Sequence, residues 1–372
     1  MIKGDKFGRI IVVNILWLIF CLILMPAMYE TNDDTGIREL INGARGVRDP
    51  HLIYQNIVLG KIYQVCYSII PNIQWYDMIQ YMVLFCSFTV MSYVLINRQG
   101  QCWGWIIVSV LEAFFAIECY VRPQYTKTAG IAAATGAYLL FWSIHKGKSL
   151  KWEIITGILL LCIGYMYREK EAIVCLGIMS TLGLYIFINI WKRHNGAERK
   201  KYVQIIVSIF VCIMLLKGIN YISYATNEEW REYNKYNKLR TELLDYGFPD
   251  YALNKKSYEK LGIDKDAFLL YASWNYNDPE KFNIPVMEEL VSLKEAKKIS
   301  WNEIAEFFKT LPSILQVSYT FRCIVVLGLI WIVFAEKDRK KHIYVQHLSN
   351  AVLLYVSYGK VWRKPCRCWT VV

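Results

Sequence analysis

An apolar stretch at residues 9–28 constrains this chain most, because it is long enough to cross a bilayer. A hydrocarbon core of about 30 Å requires roughly 20 residues of helix. The stretch runs directly into Tyr29-Glu30-Thr31-Asn32-Asp33-Asp34, which places three carboxylates at the predicted membrane surface. It lacks a small-x-small cleavage pattern at its end, so it is typical of an uncleaved first transmembrane helix.

The remaining chain has the composition of a polytopic membrane protein. Of its 372 residues, 55% are hydrophobic, and they include 13 Trp, 27 Tyr and 16 Phe. The same length criterion predicts further spans near 76–96, 102–120, 127–144, 151–167, 170–190, 202–222 and 318–335, with a weaker ninth at 343–358. The predicted fold class is therefore all-α, a transmembrane helix bundle of eight or nine spans.

The basic residues give this bundle an orientation. The net charge is +12, and lysines and arginines are concentrated in the N-terminal residues and in the segments 97–101, 145–151, 192–201 and 337–341. All of these fall on one side if the N-terminus is cytoplasmic, as the positive-inside rule requires. This pattern accounts for the charge without nucleic acid as a partner, and it predicts a multi-pass protein of the cell membrane.

Four segments then lie outside: 29–75, 121–126, 167–171 and 223–317. The first is predicted to carry a short helix at 36–42, capped by Asp33 or Asp34, and a helix at 51–70 that lies on the outer membrane surface. The last is predicted to form a small helical cap, with helices at 227–243 and 286–311.

These segments divide the chain into three parts. Residues 1–222 form a transmembrane bundle, 223–317 the extracytoplasmic segment, and 318–372 the C-terminal span or spans. A span at 343–358 would place Lys360, Arg363, Lys364 and Arg367 outside, against the charge rule. Either this helix lies on the inner membrane surface, or the sequence is truncated or frame-altered near residue 359, and we favour the second interpretation.

Cysteine usage gives no metal or disulfide framework. Most of the 11 cysteines lie within apolar runs, where they act as small hydrophobic residues. The sequence contains no CxxC pair, and Cys366-x-Cys368 stands alone. A divalent metal bound beside Asp33 and Asp34 is an alternative that the sequence leaves undecided. His51 is the histidine nearest to them in sequence.

The candidate functional residues are charged groups close to the membrane, where charge is costly. Each has a plain structural interpretation, as a helix cap, a paired charge or a solvated turn. Their convergence on one face favours chemistry, because a carboxylate can act as a general base and arginines bind phosphate through paired hydrogen bonds. The candidates are Asp33, Asp34, His51, Arg122, Lys127, Arg168 and Glu169, with Glu118 as a paired charge.

This arrangement resembles the GT-C superfamily of membrane glycosyltransferases, which use polyprenyl-phosphate-linked sugars. That superfamily has an acidic residue or pair just after the first span, followed by surface helices, and Asn32-Asp33-Asp34 matches this position. Arg168-Glu169 resembles the charged turn that faces the lipid phosphate in several members. Several short segments also resemble in sequence a large group of uncharacterised bacterial polytopic proteins. They are residues 32–34, 49–52, 72–76, 236–240, 245–246 and 249–251.

The resemblance implies a role for each candidate. Asp33 or Asp34 is the general base, while Arg168 and Glu169, with Arg122 or Lys127, form the donor-phosphate site. His51 and Arg240 bind substrate, and residues 223–317 orient an envelope glycan or lipid acceptor. Transfer proceeds with inversion, because a single carboxylate cluster provides no second, positioned carboxylate for a covalent route.

Two other functions fit a polytopic protein with a large outer segment. One is an envelope polysaccharide polymerase, and the other is a transporter or flippase for a lipid-linked glycan. Transporters place ionisable residues near mid-span and contain internal repeats. Here the spans are nearly free of central charge, with Glu112 as the exception, and no repeat is present. A non-catalytic relative is the remaining alternative.

Overall fold

The computed structural model describes residues 4–30, 32–146, 151–192, 196–275 and 278–294, together with 301, 305–306 and 309–310. The regular structure of these residues is helical throughout and contains no strand, which confirms the all-α class. The chain divides into two units, the first formed by Met1–Asn220 and the second by Tyr221–Ile314. Residues 315–372, and with them the predicted spans 318–335 and 343–358, lie outside the described residues.

The helices follow one another with short connections. They are α1 (Gly4–Leu24), α2 (Asn32–Asn42), α3 (Ile57–Ile69), α4 (Trp75–Gln99), α5 (Gln101–Leu111), α6 (Ile117–Val121), α7 (Tyr125–His145), α8 (Lys151–Tyr167), α9 (Glu169–Lys192), α10 (Gly196–Thr226), α11 (Glu228–Asp245), α12 (Lys255–Lys260), α13 (Lys265–Ala272) and α14 (Ile284–Ser292).

Within the described part of the chain, five helical stretches are long and apolar enough to cross a membrane. They coincide with five of the predicted spans and comprise Lys6–Leu24, Trp75–Arg98, Cys102–Val121, Glu169–Lys192 and Gly196–Thr226. The predicted spans at 127–144 and 151–167 are the helices α7 and α8, which are not among these five.

Helix α7 forms the centre of the first unit and is buried along almost its whole length. Small residues permit this, because they let neighbouring backbones approach closely. A Cβ at Gly136 would lie 2.5 Å from the carbonyl oxygen of Gly157, and one at Gly164 would lie 2.6 Å from the carbonyl oxygen of Ala129. We call Gly136, Gly157 and Gly164 the glycine seam between α7 and α8.

Two apolar helices remain largely exposed. Only 17% of the most apolar window of α1 is buried, and only 6% of that of α10. Exposing this much apolar surface to water costs free energy, whereas lipid would cover it without that cost. The exposed faces of α1 and α10 therefore support a location in a membrane.

The third candidate span contains a π-helical turn at Glu112–Ala116, between α5 and α6. Glu112 at its start is fully buried and accepts a hydrogen bond from the hydroxyl of Ser92 at 3.3 Å. Asn14 of α1 donates to the same Ser92 oxygen at 3.4 Å. The one mid-span acid noted in the sequence thus belongs to a buried polar chain that connects α1, α4 and the π-helical turn.

Two helices of the first outer segment differ from their predicted bounds. Helix α2 begins at Asn32, so that Asp33 and Asp34 lie in its first turn rather than ahead of it. Carboxylates are favourable there because of the helix dipole. Helix α3 begins only at Ile57, because the Asn56 side chain caps it by accepting from the Val58 N–H at 3.0 Å. His51 therefore precedes the helix and does not cap it.

The second unit has its own small core. The predicted helix at 227–243 is present as α11, whereas the one at 286–311 begins earlier and ends at Ser292 in α14, whose cap is Asn283. Helices α12 and α13 are additional to the prediction. The core consists of Leu243, Tyr258, Ile263, Ala267, Tyr271, Phe282, Met287 and Leu290.

Candidate functional site

Asp34 is the most enclosed acid of the candidate site, with 0% of the residue exposed. Its Oδ1 accepts hydrogen bonds from the Tyr76 hydroxyl at 2.7 Å and from the Tyr125 backbone N–H at 2.9 Å. Burial raises the pKa of the Asp34 carboxyl to about 7, while these two hydrogen bonds act in the opposite direction. Asp34 therefore joins α2 to the first turns of α4 and α7.

A group of buried tyrosines surrounds Asp34. The Tyr63 hydroxyl donates to the Tyr167 hydroxyl at 3.0 Å, and the ring centroids of Tyr63 and Tyr76 lie 5.5 Å apart. The Tyr67 hydroxyl accepts from the backbone N–H of Tyr76 at 3.4 Å. These rings come from α3, α4 and α8, so they bring the first outer segment into contact with the end of the bundle.

Asp33, in contrast, is only partly buried. Burial raises the pKa of the Tyr125 phenol, the Arg168 guanidinium lowers it, and the negative charge of Asp33 raises it further. Both charged groups thus act on the same tyrosine, although they come from distant parts of the sequence. Tyr125 is the residue at which the acidic first segment and the Arg168 turn meet.

Arg168 lies between α8 and α9 and has a side chain that is 27% exposed. Its Nε pairs with Glu171 at 2.8 Å, and its Nη1 donates to the Tyr125 hydroxyl at 3.1 Å and to the Thr126 hydroxyl at 2.7 Å. These contacts use Nε and Nη1 of the guanidinium group. Among the described residues, Nη2 has no hydrogen-bond partner.

Tyr54 completes this end of the site, and no motif in the sequence pointed to it. Its ring is parallel to that of Tyr125, with centroids 6.2 Å apart and an angle of 6° between planes. The Arg168 guanidinium lies 5.5 Å from the Tyr54 centroid and 5.3 Å from that of Tyr125. Tyr54 is 45% exposed and has a φ of +69°, which is rare for a residue with a side chain.

Lys127 is held between two acids. Its Nζ lies 2.5 Å from Glu30 Oε2 and 2.8 Å from Glu118 Oε1, and its side chain is 5% exposed. It also donates to the backbone carbonyl of Arg122 at 3.2 Å. The side chain of Glu30 is itself only 7% exposed. This geometry favours a structural role for Lys127, because its charge is already paired with two carboxylates. The neighbouring candidate, Arg122, is exposed.

The remaining candidates make local pairs. His51 Nδ1 lies 2.7 Å from Asp49 Oδ1, and Glu169 pairs with Lys217 at 3.1 Å. Arg240 belongs to α11 of the second unit, where it donates to Asn237. Of the candidates, Asp33, Asp34, Lys127 and Arg168 all lie at the end of the first unit where α7 begins, which we call the site end.

From the sequence, Asp77 is expected to be a surface acid whose substitution matters little. In the structure it accepts a hydrogen bond from the Tyr29 hydroxyl and lies 3.7 Å from the Arg38 guanidinium. Its side chain is 25% exposed. Substitution of Asp77 would therefore disturb the site end. Glu39 of α2, which pairs with the exposed Arg45, is the better control.

Replacing Asp34 by Asn is expected to preserve the fold and to reduce the pH dependence of the protein's stability. The Asn Oδ1 can accept both hydrogen bonds that Asp34 accepts. The folded-state pKa of about 7 lies above the ordinary value of 3.8. The folded protein therefore holds a proton on Asp34 that the unfolded chain releases above about pH 4. The free energy of unfolding falls as the pH rises from about 4 to about 7, by at most about 1.4 kcal/mol per pH unit.

Chemical unfolding in detergent micelles at pH 5 and pH 7.5 tests this expectation. The native chain should lose stability between the two values, and the Asp34→Asn variant should lose less, whereas Glu39→Gln should follow the native chain. An equal pH dependence in all three proteins would contradict the assignment.

Within the described part of the chain, no three side chains of His, Cys, Asp or Glu lie together in a way that could hold a metal ion. Comparison with known protein families, with curated proteins and with solved structures finds no match. The arrangement at the site end is therefore interpreted from its own chemistry.

Proposed function

We propose that this protein is a GT-C-like membrane glycosyltransferase that moves a sugar from a polyprenyl-phosphate donor to a cell-envelope glycan or lipid. One observation carries the proposal: a partly exposed carboxylate, Asp33, and a partly exposed guanidinium, Arg168, act on the same residue, Tyr125. Transfer from a lipid phosphate requires a base and a phosphate-binding cation, and the site end contains one of each.

In the proposed reaction, Asp33 accepts the proton of an acceptor hydroxyl as the hydroxyl oxygen attacks C1 of the donor sugar. The bond between C1 and the phosphate oxygen breaks, and the lipid phosphate leaves with the electron pair. Arg168 stabilises the charge on the leaving phosphate. Asp33 is the better base of the pair, because it is partly exposed, whereas Asp34 is enclosed by Tyr76 and Tyr125.

The proposal includes eight or nine spans, a cytoplasmic N-terminus and a helical segment at 223–317 on the outer side. With the native cysteines replaced, single cysteines at Asn42 and Lys255 are expected to react with a membrane-impermeant maleimide on intact cells. Cysteines at Gly147 and Asn195 should react only after permeabilisation, since the positive-inside rule places these residues in the cytoplasm. Cytoplasmic labelling at Lys255 would overturn the outer-face argument.

Arg168 provides a test of the donor site. Arg168→Lys keeps the charge but loses the planar, two-pronged geometry, so the KM for the lipid donor should rise while folding is retained. Arg168→Ala should raise it further, because the phosphate loses its charge-assisted partner. The measurement is donor KM and protein yield in membranes, with Lys61→Ala of α3 as a control for an exposed cation in the same unit. Unchanged KM and yield in both Arg168 variants would identify a turn residue without a role in binding.

The proposed function as a whole is tested by mass spectrometry of envelope glycans from cells with and without the gene. Loss of one sugar substituent, with its restoration by the native gene, is the expected result. Identical glycans in the two strains would contradict the proposal.

Transport of a lipid-linked glycan is a second candidate, and the buried chain of Asn14, Ser92 and Glu112 favours it. An acid within a span beside a π-helical turn is a common feature of functional sites. The test is whether each variant restores the sugar substituent of the envelope glycan in cells that lack the gene. If Asp33→Asn restored it and Glu112→Gln did not, transport would replace transfer as the better proposal.

A further inference from the structure

We infer that Tyr54 is the platform on which the pyranose ring of the lipid-linked donor stacks, beside the phosphate site at Arg168. The inference rests on the proposed function and adds to it the position of the sugar. It starts from an aromatic ring that is both exposed and held in an unusual backbone conformation.

The position of the Tyr54 ring is fixed by its surroundings. The ring lies parallel to the buried Tyr125 ring, and Arg168 contacts both. Despite these contacts, 45% of Tyr54 is exposed, whereas Tyr125 is 1% exposed. An aromatic side chain thus remains accessible directly beside the proposed phosphate ligand, Arg168.

The backbone at Tyr54 supports a functional reason for this side chain. A φ of +69° favours glycine, and residues held in such conformations are concentrated at ligand sites. The neighbours hold the turn in place: Leu52 is fully buried, and the Asn56 N–H donates to the Met166 carbonyl at 2.8 Å. A tyrosine is thus present at a position where the backbone alone would favour glycine.

A pyranose fits the chemistry of this position. One face of a sugar ring presents C–H groups that pack on an aromatic ring, while its hydroxyls require polar partners at the edge. We assign this polar edge to Glu171, which pairs with Arg168, and to Asp33, whose charge acts on Tyr125. The donor sugar is joined to its phosphate through a single oxygen, so a ring stacked on Tyr54 keeps that phosphate within reach of the neighbouring guanidinium.

The variants for a test follow from the backbone conformation. Tyr54→Gly removes the ring and relieves the positive φ, so it should fold as well as the native chain. Tyr54→Phe keeps the stacking face and removes only the hydroxyl. Val47→Ala is the control, because Val47 lies in the same segment and is 92% exposed. The thermal midpoint of each purified protein confirms that folding is retained.

The experiment is a binding titration by native mass spectrometry with three kinds of probe. They are polyprenyl phosphate, polyprenyl-phosphohexoses carrying glucose, galactose or mannose, and the free methyl hexosides. We expect Tyr54→Gly to bind at least one polyprenyl-phosphohexose about 3- to 10-fold more weakly, as loss of an aromatic stacking contact implies. Its binding of polyprenyl phosphate should be unchanged, and Tyr54→Phe and Val47→Ala should bind all probes as the native chain does.

The other outcomes separate this inference from the proposed function. If Tyr54→Gly bound every phosphohexose as well as the native protein does, or lost affinity equally for polyprenyl phosphate, the stacking role would be overturned while the phosphate site stood. A loss confined to the methyl hexosides would assign Tyr54 to the acceptor and overturn the donor assignment. Failure of the native protein to bind any of the polyprenyl lipids would overturn the proposed function and this inference together.

Discussion

Replacing Asp33 by Asn is expected to lower the rate of sugar transfer by about 10²–10⁴-fold, the usual cost of removing a general base. Asn has nearly the same shape, but its amide cannot accept the proton of the acceptor hydroxyl. Asp33 is partly exposed in the first turn of α2, and Asn has nearly the same size there, so we expect the variant to fold. The rate is measured as incorporation of labelled sugar into envelope glycan by membranes that contain equal amounts of protein.

Two companion variants make this result specific. Glu39→Gln removes a partly exposed acid from the same helix and should leave the rate within a factor of about 2. Asp34→Asn should retain most of the activity, because it preserves the hydrogen bonds to Tyr76 and Tyr125. Full activity of Asp33→Asn at normal expression would show that the base lies elsewhere, and a large loss in Asp34→Asn alone would exchange the two roles.

Replacing Lys127 by Met is expected to destabilise the first unit by about 3–5 kcal/mol, because it leaves a buried carboxylate without its counter-ion. Glu30 is the acid concerned, since its side chain is 7% exposed, whereas that of Glu118 is 28% exposed and can be hydrated. The double variant Lys127→Met with Glu30→Gln should recover a large part of the loss. Unfolding in detergent, followed by circular dichroism, provides the comparison.

The same variants decide between the two roles considered for Lys127. If Lys127 bound the donor phosphate, as the sequence resemblance implies, Lys127→Met would keep its stability and raise the donor KM. If it holds Glu30 and Glu118 together, the single variant loses stability and the double variant regains it. Normal unfolding of Lys127→Met would therefore reject the structural role.

The sequence predicted the long helices of the first unit well, because apolar length is a local property. Five predicted spans coincide with helices that are long and apolar enough to cross a membrane. Helix starts were less accurate where a single side chain decides them. Asn56 caps α3 by a hydrogen bond that depends on the turn before it, so the predicted start at residue 51 was too early.

The sequence pointed to the charged residues of the candidate site but not to their pairing. Position after the first span made Asp33 and Asp34 candidates, and the predicted topology made Arg168 one. The sequence could not distinguish the enclosed Asp34 from the accessible Asp33, because the difference depends on Tyr76 and on the backbone of Tyr125, both distant in sequence. Tyr54 gave no signal, since an exposed tyrosine in a loop is common and its φ cannot be derived from composition.

The glycine seam sets the axial register between α7 and α8, and this has a consequence for distant substitutions. Helix α7 begins with Tyr125 and Thr126, and Arg168 directly follows α8. The 2.7 Å hydrogen bond from Arg168 to Thr126 therefore depends on how the two helices are aligned along their length. Gly136 lies about 15 Å from Thr126 along α7, at 1.5 Å per residue. A methyl group at Gly136 would meet the backbone of Gly157 and Leu161 and push the helices apart. Misplacement by about 1 Å can cost a large part of a catalytic rate. If the proposed transfer takes place at the site end, an alanine at Gly136 would therefore slow it without contacting Asp33 or Arg168.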